Sequence, residues 1–248
     1  MNDSLAFQFH GKPEFSVIVP ARNEERFIGQ CLESIRVAAA PYPGLVEVIV
    51  VLNRCSDRTE EIAHALGART IREDAKNLAR IRNAGARSAA GRILVTIDAD
   101  STMSPGTLAA IDRALASGTT VGGGVHIRPD RLSVGIRVTL FLFRLLLLVY
   151  PISLGLFWCH REDFEAIGGF NESLVSGEDL DFATRLKAHG KKVRRPFSTL
   201  RGEHIVTSCR KLDIFGEWYV LTSPRLAWRL IGGKHQPAAD HFYYDVER

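Results

Sequence analysis

Three long runs in the first hundred residues carry almost no polar face: FSVIVPA (Phe15–Ala21), VEVIVVLN (Val46–Asn53) and RILVTID, with a shorter ARTI before the last. A strand that is apolar on both sides must be covered on both sides. Between these runs the apolar residues change to helical spacing. Phe27, Ile28, Cys31, Leu32 and Ile35 follow the first; Ile62, Ala63 and Leu66 follow Asp57; Asn77–Ala89 reads as a helix; and SPGTLAAIDRALA reads as another, with Ser104 as N-cap and Pro105 at its first position. Strand and helix in alternation predict a mostly parallel sheet, with ligands gathering at the carboxyl ends of its strands.

The second half is patterned differently. TTVGGGVHI is glycine-rich and extended, LFWCHREDFEAIGGF is a strand running into a short helix, and SGEDLDFATRLKAHG is a helix with Gly190 as its C-terminal stop. KKVRRP reads as a further strand, and Leu212–Ile231 as an amphipathic helix. With 248 residues, 46% hydrophobic and 24% charged, the chain is long enough for one large α/β domain and too apolar for disorder. The net charge of +4 favours anionic partners, phosphorylated metabolites or a membrane surface. No recognition helix or RNA platform is present, so nucleic acid is not expected as a partner. Cys31, Cys55, Cys159 and Cys209 show neither zinc spacing nor a disulfide framework, and the opening MNDSLAFQFHGKPEF lacks a secretory signal; a cytoplasmic location is expected.

RILVTID ends at Asp98, and Asp100 follows one residue on. Two anions at the mouth of an apolar strand repel each other unless something positive lies between them. Aspartates are common in turns after strands, but the next helix already has a cap in Ser104. A carboxylate pair at a strand's carboxyl end also suits a hard divalent cation, whose other positions go to water and phosphate oxygens. The spacing by itself leaves both readings open.

The neighbouring motifs are VIVPARNEERFIGQCLESI, VIVVLNRCSDRTEEIA, ARIRNAGARSAAGRILVTIDAD and GGFNESLVSGEDLDFATRL, with His204 further on. In this order and spacing the chain resembles the family-2 glycosyltransferases over roughly residues 15 to 205. The resemblance implies an α/β GT-A fold, a Rossmann-like three-layer αβα sandwich with a mostly parallel central sheet. No internal repeat, low-complexity tract or linker breaks the chain, so one domain is expected over residues 1–248, with a nucleotide-sugar-binding half (14–127) and an acceptor and catalytic-base half (128–210) by the resemblance, and a C-terminal helical extension (211–248). The implied reaction is inverting transfer of a sugar from a nucleotide-diphosphate sugar to an acceptor hydroxyl, with Mn²⁺ or Mg²⁺.

By the same resemblance Asp100 is the main metal ligand, and Asp98 holds the ribose or a metal-bound water. His204 is a further metal or diphosphate contact, or else a structural histidine. Pro20, Ala21, Asn23 and Glu24 open the nucleoside pocket, although Asn23 and Glu24 also suit a helix start. The family's aspartate pair after the second strand is replaced by Leu52, Asn53, Arg54 and Cys55, leaving the Asn53 amide to meet a base edge. Asp57 is expected as a helix cap, and Arg82, with Arg80 and Asn83 beside it, as a pocket residue. Inversion requires a carboxylate to take the acceptor's proton. The E-D dipeptide assigns that role to Asp179, then Glu178, with Asp181 structural; Ser176 and Asp179 also form a capping-box pattern. Gly168 and Gly169 would form a close-packed turn on the acceptor side.

Val138–Trp158 approaches the length of a membrane span but is interrupted by Arg144 and Pro151. A single crossing would put Asp98–Asp100 and Glu178–Asp179 on opposite sides of a bilayer. The segment is therefore expected to be buried, or to lie in an interface with Arg137 and Arg144 reaching phosphates. The interfacial case suits a peripheral enzyme on the cytoplasmic face, acting on a lipid-linked or cell-envelope glycan precursor. Two other functions share these motifs: a sugar-phosphate nucleotidyltransferase, whose glycine- and arginine-rich loop is missing from VIVPARNEE, and a non-catalytic nucleotide-sugar-binding protein.

Overall fold

The computed structural model describes residues 11–138 and 155–210, with 141, 213 and 216 besides. The elements are β1 (Phe15–Ala21), α1 (Ile28–Ala39), β2 (Val46–Leu52), α2 (Thr59–Ala65), β3 (Arg69–Arg72), α3 (Leu78–Ser88), β4 (Ile93–Ile97), β5 (Ser101–Met103), α4 (Thr107–Ala116), β6 (Gly122–Pro129), β7 (Leu156–His160), α5 (Arg161–Ala166), α6 (Glu178–Lys192) and β8 (Phe197–Thr207). They build one sheet in the order β3-β2-β1-β4-β7-β6-β8-β5. β1 runs parallel to β2 and β4, β2 to β3, and β6 to β8. β7 is antiparallel to β4 and β6, and β5 to β8.

The doubly apolar runs are buried along their whole length, as in β1, β2 and β4. Alternate residues feed two separate cores. Val17, Val19, Val48 and Val50 pack on one face with Ile28, Leu32 and Ile35 of α1 and Leu108 and Ile111 of α4. Ile18, Ile49, Val51 and Leu94 pack on the other with Ile81 of α3 and Phe182 and Leu186 of α6. Each such side chain contributes roughly 1.5–3 kcal/mol relative to exposure, which makes the sheet a stiff platform for whatever its strand ends carry.

Several sequence expectations shift. α4 begins at Thr107 behind Gly106, with no side-chain cap. The Ser104 hydroxyl instead donates to Glu203 Oε2 at 2.6 Å and accepts the His204 amide at 3.0 Å. The cause is β5, which has no strand-length signal of its own and ties the chain after Asp100 to β8. α6 begins behind Gly177, in left-handed geometry at φ 68°, so the capping-box pattern of Ser176 is not used as a side-chain cap. It passes Gly190 and ends at Lys192. Gly190 is bare because a Cβ there would lie 2.3 Å from the Arg195 carbonyl and 2.7 Å from Val121. KKVRRP is therefore helix end and turn rather than strand, with Arg194 at φ 58°, and the strand follows as Phe197–Thr207.

Leu156–Trp158, the end of the apolar segment, lies in β7 beside β4. The rest of that segment, including Arg144 and Pro151, lies outside the described residues apart from 138, 141 and 155, as do the expected helix Leu212–Ile231, nearly all of 211–248 and residues 1–10. Among the described residues no helix is long and apolar enough to cross a membrane.

At the β6–β8 crossing a Cβ on Gly123 would fall 1.6 Å from the Ser198 carbonyl oxygen, a backbone atom that cannot yield. Gly123→Ala should lower stability by about 3 kcal/mol or prevent folding. Gly29→Ala in α1, where the new methyl meets only Ile62 at 3.8 Å, should gain about 0.5–1 kcal/mol. Thermal melts of the two variants check both signs.

Candidate active site

Arg82 is the cation that meets Asp98, the first of the two aspartates, and joins it to the carboxylates of α6. It projects from α3 and is 2% exposed. Its Nη2 donates to Asp98 Oδ1 at 2.8 Å, and its Nη1 donates to Asp179 Oδ1 at 2.7 Å and to Glu178 Oε1 at 3.0 Å. The guanidinium lies 5.3 Å from the Phe170 ring centroid. Burial works against its charge, but Asp179, Asp98 and Glu178 outweigh burial and hold its pKa above the ordinary arginine value. The strand end and the helix start that sequence assigned to separate halves thus share one guanidinium, so a bilayer cannot divide them.

α3 is fixed for this task at its start and at its middle. Asn77 caps it by accepting the Arg80 amide at 2.9 Å, while its Nδ2 donates to the Glu172 and Leu174 carbonyls, each at 2.9 Å. Asn83, next to Arg82, accepts the Phe170 amide at 2.9 Å and donates to the Phe170 carbonyl at 2.8 Å. Gly169, at φ 66°, permits this clamp, since a Cβ there would lie 2.7 Å from Asn83 Oδ1. Gly168 has open space around it and contributes only its backbone turn. Asp181 pairs with Arg185 Nε at 2.7 Å, and Arg185 Nη1 donates to the Ile167 and Gly169 carbonyls, bracing the same loop.

A second arginine serves the other aspartate. Arg210 Nη2 pairs with Asp100 Oδ2 at 3.2 Å and with Glu24 Oε1. Its guanidinium lies 4.9 Å from the centroid of the Phe27 ring. The chain reaches this position because the Ser208 amide donates to the Asp100 carbonyl at 3.1 Å, directly after β8. Burial opposes the Arg210 charge and Glu24 and Asp100 more than offset it, so its pKa is also raised. Beneath them Cys31 is pushed up by burial and by the negative field of Asp100, Asp98 and Glu24. Glu24, Asp98, Asp100, Glu178 and Asp179 with Arg82 and Arg210 sum to a formal charge of −3, five anions against two cations.

The nucleoside-side candidates lie at the ends of β1 and β2. Pro20 and Ala21 pair with Val51 and Leu52, and the Asn53 amide nitrogen donates to the Ala21 carbonyl at 2.8 Å. Asn53 Nδ2 donates to the Glu73 and Ala75 carbonyls at 2.6 and 2.9 Å, which orients Oδ1 as the remaining acceptor; it has no hydrogen-bond partner among the described residues. Asn23 accepts the Ser56 amide at 2.9 Å in left-handed geometry at φ 50°. Glu24 caps the first turn through its backbone carbonyl, leaving its side chain for Arg210. Asp57 is not the helix cap expected of it: the N-cap of α2 is Arg58, without a side-chain cap, and Asp57 sits one residue earlier, accepting the Thr59 amide and the Glu25 amide, each at 3.0 Å.

Two candidates stand apart from these clusters. Arg80 is half exposed and lies 3.5 Å from Glu73. His204 sits on β8 beside Ser104, with Nε2 3.3 Å from Arg128 Nη1, whereas β5–β8 pairing sets Ser101, next to Asp100, opposite Thr207. Among the described residues no three His, Cys, Asp or Glu side chains converge as a metal cage. Arg210 and the stacking face of Phe27 were missed from sequence: a lone arginine beyond the last motif carries no spacing signal, and Phe27 was absorbed into the helical apolar pattern.

Residues 16–165 match the family model described as glycosyl transferase family 2, and residues 151–208 match that of the N-terminal domain of galactosyltransferase. No curated protein matches the chain. Among solved structures it is similar to S. aureus TarS 1–349 in complex with UDP-GlcNAc, at 17% identity and TM-score 0.63, covering 92% of this chain and 70% of that one. It is also similar to the mannosyltransferase PcManGT from Pyrobaculum calidifontis in complex with GDP-Man and Mn²⁺, at 22% identity and TM-score 0.63, covering 98% and 68%. Against the longer TarS chain it spans 42% of that protein's length. These likenesses establish the same α/β fold with its mostly parallel sheet.

Removing one side of a buried ion cluster leaves uncompensated charge behind. Arg82→Ala should therefore cost about 3–5 kcal/mol of stability, and Arg82→Lys less, both read from urea denaturation midpoints.

Proposed function

We propose, on the premise that the chain belongs to glycosyl transferase family 2, that it transfers a sugar with inversion from a nucleotide-diphosphate sugar to a hydroxyl acceptor. The observation that carries this reading is the single guanidinium joining Asp98 to Asp179. It sets a donor-side carboxylate and a base-side carboxylate around one point, as a displacement between two bound substrates requires.

Asp179 is the proposed base. Arg82 Nη1 holds its Oδ1 at 2.7 Å, while the side chain keeps partial access to solvent. The acceptor's O–H proton passes to Asp179 as its oxygen bonds to the anomeric carbon, and the bond from that carbon to the diphosphate oxygen breaks. Glu178, nearly buried on the same Nη1, positions Arg82 rather than the acceptor. Pro20, Ala21 and Asn53 would receive the nucleoside, with Asn53 Oδ1 accepting an N–H from the base edge.

A divalent cation, Mn²⁺ or Mg²⁺, suits the remaining charge: the cluster is all oxygen on its anionic side and carries a formal excess of three negative charges. Asp100, with Asp98, would hold it. Bound there, it would neutralise charge developing on the departing diphosphate. His204 is left to its strand contacts.

The acceptor side bears on a membrane surface. Ile127, Leu132, Val134 and Phe141 are exposed large apolar residues close together in sequence, interleaved with Arg128, Arg131 and Arg137. Apolar side chains among cations fit an anionic bilayer surface and a lipid-linked acceptor.

Three measurements test this reading. With Mn²⁺ and a panel of nucleotide sugars, the protein should slowly release nucleoside diphosphate without acceptor; pyrophosphate release from a nucleoside triphosphate and a sugar phosphate would mark a nucleotidyltransferase instead. Asp179→Ala should keep donor binding and lose roughly 10²–10⁴-fold in transfer, while Asp100→Ala should lose Mn²⁺-dependent donor binding. In flotation assays the protein should rise with anionic liposomes and a Leu132→Glu/Val134→Glu variant should not; failure of the unmodified protein to float would end the membrane proposal.

A further inference from the structure

We infer that Arg210 is a resident counter-cation that exchanges partners. In the ligand-free protein it neutralises Asp100 and Glu24, competing there with a divalent cation. Once that cation arrives with a nucleotide, the guanidinium turns to the diphosphate. The inference rests on the proposal that Asp100 is a cation ligand.

The two arginines of the site differ in ways that assign them different tasks. Arg82 has a 3% exposed side chain and is fixed by three carboxylates over Phe170. Arg210 has an 18% exposed side chain, two carboxylate partners and the flat face of Phe27 under it. Glu24 and Asp100 have side chains only 4% and 13% exposed. Carboxylates so shielded are costly without a counter-charge, so a cation of the protein's own stays in place before any metal arrives. A guanidinium carries forked donors that suit phosphate as well as carboxylate, and here Nη2 alone serves both Glu24 and Asp100, which lets the group change partners. Sliding across an aromatic face keeps its cation–π contact during the exchange. The anchor does not move: Ser208 stays bonded to the Asp100 carbonyl, and Ser101 donates to Thr207 Oγ1 at 2.9 Å.

The test is a titration of Mn²⁺ followed by electron paramagnetic resonance of the free ion, on the wild-type protein and Arg210→Gln, alone and then with UDP or GDP. The exchange predicts opposite signs. Arg210→Gln should bind Mn²⁺ alone about tenfold more tightly, having lost its competitor, and should bind Mn²⁺ with nucleoside diphosphate about tenfold more weakly. A role confined to holding the fold would weaken both, and equal or weaker binding of Mn²⁺ alone overturns the inference. Arg210→Lys keeps one charge without the fork. It should match wild type for Mn²⁺ alone and lose affinity with nucleotide; if Arg210→Gln does not fold, wild-type nucleotide affinity in Arg210→Lys overturns the inference by itself. If the wild-type protein bound no Mn²⁺ with or without either nucleotide, the cation reading of Asp100 would fall, and this inference with it.

Discussion

A guanidinium removed from water inside a protein must be surrounded by anions, and the geometry of Arg82 follows from that requirement. No single carboxylate reaches both of its terminal nitrogens, so Asp98, Glu178 and Asp179 converge on them from two elements far apart in sequence. The convergence is mutual. Each carboxylate would be repelled by the others without the arginine, and the arginine would be expelled without them. The rigid part of the molecule serves this meeting: α3 carries Arg82, Asn83 clamps the loop bearing Phe170, and the strand beneath delivers Asp98.

The sheet explains why the meeting occurs where it does. Parallel β1, β2 and β4 all end on one edge, and the loops after them gather there. β7 then runs antiparallel beside β4, and the chain beyond it supplies α5, the Gly169 turn and α6. Because β7 starts opposite Ile97 and ends opposite Ile93, it leads away from the aspartates, and the stretch through α5 and the Gly169 turn brings the chain back so that α6 begins beside Asp98.

Much of this was legible in the residues. Doubly apolar strands, helical spacing and the aspartates after RILVTID are local signals, and local signals survive into the structure. What sequence could not show depends on partners distant along the chain. β5 is too short to declare itself and exists because β8 pairs with it. Gly190 looks like a stop signal but is a close-packing position, since Val121 lies against it only in three dimensions and the Arg195 carbonyl folds back onto it just past the helix end. Ser104 looks like a cap and becomes a tie to Glu203 and His204 for the same reason. Arg82 could be placed on a helix, but the count of its partners is a tertiary fact. Arg210 had no local signature whatever.

The position of β5 has a consequence for the order in which the molecule assembles. Its hydrogen-bonded partner is β8, and Ser101 and Thr207 are separated by 106 residues. Contacts of such separation form late, because the chain between them loses its freedom before the contact compensates. β1 to β4 pair among themselves and need nothing made after Ile97, so they can form while the ribosome is still making the rest. The segment leaving Asp100 then has nothing to pair with until β8 emerges. A nascent or C-terminally shortened chain would carry a well-formed strand ending in aspartates whose exit is untethered, with neither Asp179 nor Arg210 yet made. Competence to bind would thus switch on only once β8 has entered between β6 and β5.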